Sequence, residues 1–301
     1  MNPNRQANVI AITGASGLIG GVLVTQLKNT GHEAVELSRN NCTLDNFNSF
    51  TEAVKNVDVF VHLAAVTHNP NATYQDYYEG NVEFTEKICT WVTEAKNKNL
   101  ADIKRVLLIS SIKVMGESTL PDQPFVHTST CNPEDNYGKT KLLAEQKLKS
   151  ICNEAGTEWC IIRPPLVYTP NAKGNLQLIS KVIDWHLPLP LGNIQNRRDL
   201  VDIKNLVELI SICSTHPAAS SQIFLVSDGK PLSTSELVKK IATDTNRKVR
   251  LIRIPKFMQA WIKSYSHKSS LIQRLFGNLE VDITHTSKTL NWHPNTKPND
   301  L

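Results

Sequence analysis

The sequence predicts an α/β fold, a doubly wound parallel sheet with a smaller, partly interleaved carboxy-terminal lobe, and three observations predict it. Strand-like apolar runs at 8–13, 33–38, 58–63, 105–110 and 159–163 alternate with helical stretches near 18–29, 47–55, 81–97 and 137–155, and that alternation sets strands parallel with helices on both faces. The first strand runs directly into Gly14-Ala-Ser-Gly-Leu-Ile-Gly20 and then an apolar helix, the layout of a Rossmann-type dinucleotide-phosphate turn. After Arg163 the texture changes, with Pro164, Pro165, Pro170, Pro188, Pro190 and Pro217 separating short segments, as in an irregular added lobe. The expected organisation is a dinucleotide-binding domain over 1–165, its sheet completed by about 198–228, and a substrate-binding lobe over 166–301.

Taken in order, Gly14, Gly17 and Gly20 let the backbone approach a pyrophosphate at a helix amino terminus, with Ser16, Leu18 and Ile19 supplying the intervening contacts. The second strand ends in Ser38-Arg39, where an acidic tip would accept ribose hydroxyls and a basic one accommodates a 2′-phosphate. Glu36 falls within the spacing of an acidic ribose partner and competes with that reading, but its place two residues inside the strand suggests a side chain facing away from the ribose. Cys42-Thr-Leu-Asp45 follows, and neither Thr43 nor Asp45 can be assigned to adenine. The third strand ends at Leu63-Ala64-Ala65, and Asn81 opens the helix at 81–97 as a plausible N-cap. The strand at 105–110 ends in Ser110 and Ser111. Tyr137 and Lys141 stand four residues apart on one helix face, where an ammonium would lower a phenol from its ordinary pKa of ~10.

Composition narrows the remaining classes. With 40% hydrophobic and 20% charged content over 301 residues, the chain can bury a large core. A net charge of +5 spread along the sequence falls short of a nucleic-acid footprint. The polar start and the lack of any apolar run near the ~20 residues of a membrane span lead us to expect a cytoplasmic protein. Six cysteines, at 42, 89, 131, 152, 160 and 213, show no CxxC and no His/Cys ligand spacing, so reduced thiols and no metal are expected. His62 and His68 likewise read as packing or loop residues. The basic amphipathic stretch 256–276 reads as a stripe closing the small lobe, with a membrane-surface contact as the alternative.

Gly14-Ala-Ser-Gly-Leu-Ile-Gly20, Val61-His-Leu-Ala-Ala65, Asn81, Ile109-Ser-Ser111, Tyr137 with Lys141, and Ile162-Arg-Pro-Pro-Leu-Val-Tyr168 occur in that order. On these motifs the chain resembles, over nearly its whole length, the extended short-chain dehydrogenase/reductase family, specifically its nucleotide-sugar epimerases, dehydratases and reductases. The resemblance implies that Tyr137 is the general acid, that Lys141 holds the nicotinamide ribose, and that Ser111 hydrogen-bonds the reacting oxygen. Ser111 is preferred to Ser110 because the family's catalytic hydroxyl stands five residues before the glycine that is Gly116 here. It further implies cofactor contacts from Leu63, Ala64, Ala65 and Pro164, support of the lysine side by Asn81, and substrate contacts from Ser111, Lys113, Asn175 and Arg198.

NAD-selective relatives tend to carry Asp at the position of Ser38, so the resemblance favours NADP(H), with NAD(H) the other possibility. The activity it implies first is NADPH-dependent reduction at C4 of a UDP-4-keto-6-deoxy-N-acetylhexosamine for surface polysaccharide. The alternatives are an NAD-dependent UDP-glucose or UDP-N-acetylglucosamine 4-epimerase and a non-enzymatic cofactor-sensing protein. A dehydratase fits less well, because Ile112-Lys113 stands where those relatives place Asp-Glu. A homodimer through helices 81–97 and 137–155 is also implied, with Ile88, Val92, Leu142 and Leu143 available for its face.

Overall fold

Runs such as Val9–Thr13 and Val59–His62 carry aliphatic or aromatic side chains at nearly every position, as a strand covered on both faces requires. The computed structural model, which describes residues 8–38, 44–67, 71–169, 183, 188–255, 257–259 and 270–295, places them in a six-stranded parallel sheet. In chain order the elements are β1 (Val9–Thr13), α1 (Leu18–Asn29), β2 (Glu33–Leu37), α2 (Phe47–Val54), β3 (Val59–His62), α3 (Tyr74–Tyr77), α4 (Phe84–Asn97), β4 (Arg105–Ile109), α5 (Asn136–Glu154) and β5 (Glu158–Arg163). There follow β6 (Leu166–Tyr168), β7 (Leu200–Asp202), α6 (Ile203–Thr215), β8 (Gln222–Leu225), α7 (Thr234–Asp244), α8 (Ser270–Phe276) and α9 (Thr284–Leu290). The sheet order is β2-β1-β3-β4-β5-β8. The order reverses at β1, so a crevice opens at the carboxyl ends of β1 and β3.

Two layers of core clamp the sheet. Leu23 and Leu27 of α1 meet Leu206, Leu209 and Ile210 of α6 on one face, while Phe50, Ile88, Val92, Ala144 and Leu148 cover the other. Ile88 and Val92 are thus buried against the sheet rather than offered to a second copy, and Leu142 packs with Ile112 and Val114.

Two further expectations change. Residues near Leu200 do not rejoin the large sheet: β7 pairs with β6 in a separate two-stranded sheet, and β8 alone completes the large one beside β5. Pro164 and Pro165 supply no N–H donor, so the chain leaves the ladder directly after Arg163. Asn81 is not an N-cap either. Thr73 caps α3 in a capping box with Asp76, and the helix runs on through a π-helical turn, Tyr78–Glu83, into α4.

After β5, in a separate apolar cluster, Leu237, Val238 and Ile241 of α7 pack on Tyr168, Leu189 and Leu200. Phe276 of α8 is buried with Ile194 and Ile254, so the carboxy-terminal turn of the 256–276 stretch faces inward. The chain then crosses back over the sheet's carboxyl edge, bridging Thr119 to Asn278, Phe125 to Val281 and Arg198 to Leu279.

Candidate active site

At the end of β1, Gly14 adopts φ +74°, and a Cβ there would lie 2.8 Å from the Ala64 amide nitrogen. Only glycine lets this turn press against the loop after β3. Gly17 follows as the N-cap of α1 with no side-chain hydrogen bond, and no acid stands in the first helical turn. The helix thus offers its amino-terminal N–H groups and positive dipole end beside Ser16, the electrostatics that a pyrophosphate needs.

These residues open on a cleft of about 720 Å³, a volume in the range of small-molecule and cofactor sites. Gly14, Ser16, Leu37, Ser38, Ala64 and Ala65 line one side, and Gly80, Glu83, Phe84 and Lys87 come from the π turn and α4 opposite. Glu36 is exposed on β2 and is not among the lining residues. Leu63 and Ile19 pack on the core behind the cleft, Gly20 is buried, and Leu18 is exposed. Arg39, Asn175, Thr43 and His68 lie outside the described residues. The glycine turn, the uncapped helix terminus and the cleft volume fit a dinucleotide.

The catalytic candidates meet at the amino terminus of α5. Asp135 caps that helix, accepting from the Gly138 N–H at 2.7 Å. Gly138 sits so close to the preceding loop that a Cβ would stand 2.7 Å from the Lys113 carbonyl oxygen, which explains the glycine after Tyr137. Ser111 is thereby brought near the Tyr137 hydroxyl, close enough to lower the phenol's pKa, while the Ser110 hydroxyl is buried with no hydrogen-bond partner among the described residues. Burial, together with the Asp135 carboxylate, pushes the Tyr137 phenol up to about 12, against the lowering effect of Ser111. The expected depression by Lys141 is absent. Burial brings the Lys141 ammonium down to about 8, and its field acts on Glu145 and His62 rather than on the phenol. Pro164 holds the Ser111 loop from below, its carbonyl accepting from the Ile112 N–H at 2.9 Å.

A charged cluster closes the other side of Tyr137. The Lys113 ammonium lies 2.5 Å from both Asp135 and Glu117 and 6.0 Å from the centre of the Tyr137 ring. Arg274 of α8 reaches Glu117 at 3.4 Å and Asp135 at 3.7 Å. Burial works to raise the Asp135 carboxyl, but Lys113 and the Gly138 amide outweigh it and hold it below the usual range. Arg198 donates to the Gly277 carbonyl at 3.1 Å, and burial lowers its guanidinium to about 10. Several basic groups therefore converge beyond Tyr137, suited to an anionic group of a substrate.

Four kinds of residue escaped the sequence reading. Arg274 is brought into the cluster only by the returning chain, which no local spacing signals, whereas Glu117 stands four residues after Lys113, a spacing that was available. Glu145 lies one turn beyond Lys141 and grips Arg163 of β5 in a fully buried bidentate pair, 2.6 and 3.0 Å; the Tyr137, Lys141, Glu145 repeat of four was the available signal. Phe84 and Lys87 extend the cleft wall from α4. His62, read as packing, is hydrogen-bonded through both ring nitrogens. Among the described residues no group of side chains could hold a metal ion, the cysteines are free thiols, and no helix is long and apolar enough to cross a membrane.

Comparison with known proteins gives concordant matches. The family model described as NAD dependent epimerase/dehydratase family matches residues 10–227. A UDP-glucose 4-epimerase of Vibrio cholerae is 36% identical over 95% of this chain and 90% of its own length. Among solved structures, UDP-N-acetylglucosamine 4-epimerase from Bacillus cereus superposes with a TM-score of 0.76 at 18% identity, covering 97% of this chain and 95% of that one. The dTDP-4-dehydrorhamnose reductase of Bacillus anthracis, in complex with NADP, gives 0.68 at 17% identity, covering 84% and 86%.

Proposed function

The chain belongs to the NAD dependent epimerase/dehydratase family and is an NAD(P)-dependent enzyme, and from that premise we propose that it reduces C4 of a UDP-linked 4-keto-6-deoxy-N-acetylhexosamine with NADPH. When bound, the nicotinamide supplies the hydride. Tyr137 delivers the proton to O4 as the carbonyl becomes an alcohol, and Ser111 holds that oxygen by a hydrogen bond. Lys141 holds the ribose. Lys113 and Arg198, with Asn175, take the sugar and its diphosphate.

The observation that carries this reading is the β2 tip: Ser38 lines the cleft and Glu36 does not, leaving no carboxylate on that strand for a ribose 2′-hydroxyl. Burial raises the Tyr137 phenol, so it holds a proton to give to O4, as a reduction and the return step of an epimerisation both require. A second reading, an NAD-dependent UDP-sugar 4-epimerase, rests on the 36% identity to the Vibrio cholerae enzyme. Assembly as a homodimer through α4 and α5 accompanies either reading, and light scattering tests it.

Mixing the purified protein with NADPH and a UDP-4-keto-6-deoxy-N-acetylhexosamine should oxidise one NADPH per sugar and form one C4 alcohol. Interconversion of UDP-glucose-type and UDP-galactose-type sugars without added cofactor would establish the epimerase instead.

A further inference from the structure

Five polar side chains lie buried at and behind the cleft wall: Thr13, which lines it, and His62, Thr85, Asn81 and Thr140, none more than 1% exposed. We propose that His62 is a positioning residue, the link in a directed hydrogen-bond chain that registers the phosphate turn after β1 against the catalytic helix α5. This rests on the reading of the cleft as a dinucleotide site.

The direction of each bond follows from donor counting. Thr85 has one hydroxyl hydrogen, and it is given to the Asn81 carbonyl at 2.6 Å. The 3.1 Å contact between Thr85 Oγ1 and His62 Nε2 must therefore be donated by the imidazole, which fixes the Nε2–H tautomer. His62 Nδ1 is then an acceptor, and the Thr13 hydroxyl, 2.6 Å away, must donate to it. Thr13 Oγ1 keeps a lone pair for the Ala64 N–H at 3.4 Å. Every hydrogen in this half of the chain has a single destination.

The other half reaches the catalytic helix. Asn81 clamps Val66 through both its amide atoms, at 2.8 and 3.2 Å. Its Nδ2 also donates to Thr140 Oγ1 at 3.1 Å, and Thr140 gives its own hydrogen to the Asn136 carbonyl at 2.9 Å. Thr140 immediately precedes Lys141. The chain thus joins the residue before Gly14, the 64–66 loop on the cleft wall, the π turn and the helix carrying Tyr137. Burial, with Lys141 nearby, keeps the imidazole neutral by pushing it down to about 3, so the tautomer is not lost to protonation near neutral pH. Phe84, itself on the cleft wall, packs edge-on against the ring at 5.3 Å.

Two measurements test this, neither using a sugar substrate, so failure of the C4 reading leaves both intact. Histidine-labelled protein examined by nitrogen-detected NMR should show His62 as the Nε2–H tautomer between pH 6 and 8; the Nδ1–H tautomer or a mixture overturns the chain. Titration with NADPH and NAD should show His62→Phe binding the better of the two about tenfold more weakly. Thr13→Val should weaken it comparably, and the double variant should lose clearly less than the sum of the two, because the Thr13–His62 bond is lost in either single variant. Affinity in His62→Phe within about twofold of the unaltered protein, or additive losses in the double variant, overturns the proposal. Where His62→Phe fails to fold, Thr13→Val and the NMR assignment still decide it.

Discussion

Two polar networks flank Tyr137 and are built on opposite principles. At and behind the wall of the cofactor cleft, Thr13, His62, Thr85, Asn81 and Thr140 form an uncharged chain with every bond directed. Beyond the phenol, Lys113, Glu117, Asp135, Arg198 and Arg274 form a charged cluster, with one cation shared between two carboxylates. A neutral chain carries no large desolvation cost and holds one geometry. A charged cluster keeps ionic groups able to change partners when an anion arrives. The contrast assigns rigidity to the half of the site that binds a constant group and adaptability to the half that must accept the substrate.

Tyr137 stands at the junction, and removing its hydroxyl separates the two halves most sharply. Tyr137→Phe should lower kcat by about 10³-fold, the size of a lost general acid, while the dissociation constant for the cofactor stays within about twofold. Stopped-flow turnover and fluorescence titration read the two separately. Wild-type turnover would remove Tyr137 from the chemistry.

The neutral half contains charged exceptions, Lys141 and the buried Arg163–Glu145 pair that ties α5 to β5. Glu145→Ala leaves the guanidinium buried and unpaired, and should cost about 3–5 kcal/mol of folding stability, measured by urea denaturation. A loss under 1 kcal/mol would mean that α5 is held by its apolar contacts alone, and the comparison would lose that exception.

How much of this could be read in advance divides along the same line. The glycine turn, the Ser111 strand end and the Tyr137–Lys141 pair are local, each set by a spacing of a few residues in one element, and the sheet followed from strand and helix periodicity. The charged cluster depends on residue 274 returning to residue 117, a contact that only the path of the chain after β5 creates. Asn81 was misread because an asparagine ahead of an apolar helix looks like an N-cap whether or not a π turn precedes it. His62 was undervalued because a single histidine in an apolar strand shows nothing of its two hydroxyl partners.

Cofactor choice tests the rigid half more gently. Arg39, beyond the described end of β2, is proposed to meet a 2′-phosphate. Arg39→Ala should then weaken NADPH binding by about 1.5–3 kcal/mol, the worth of a hydrogen bond to a charged group, with NADH affinity nearly unmoved. Equal losses for both cofactors would return the selectivity question to Lys87 and Glu83 on the opposite wall.

The smallest expected effect lies in the charged half, at Asp199 beside Arg198. Its Oδ2 accepts from the Val281 N–H at 2.8 Å, but Oδ1, like Glu280 Oε1, is buried with no hydrogen-bond partner among the described residues, and burial raises its carboxyl from 3.8 to about 6. A carboxyl raised in the folded state binds its proton more tightly there than in the unfolded chain. This group's contribution to stability is therefore greatest below pH 3.8, falls as pH rises towards 6, and is a constant penalty above that. The penalty is at most on the order of 3 kcal/mol, and less after solvent screening. Asp199→Asn keeps an acceptor for Val281 and cannot ionise, so it should match the unaltered protein near pH 4 and exceed it at pH 7, as read from denaturation midpoints at each pH. If the two proteins instead keep a fixed difference from pH 4 to pH 7, the strap that carries Glu280 and Val281 over the site is not held by a protonated Asp199, and the adaptable half owes its pH response to Asp135 instead.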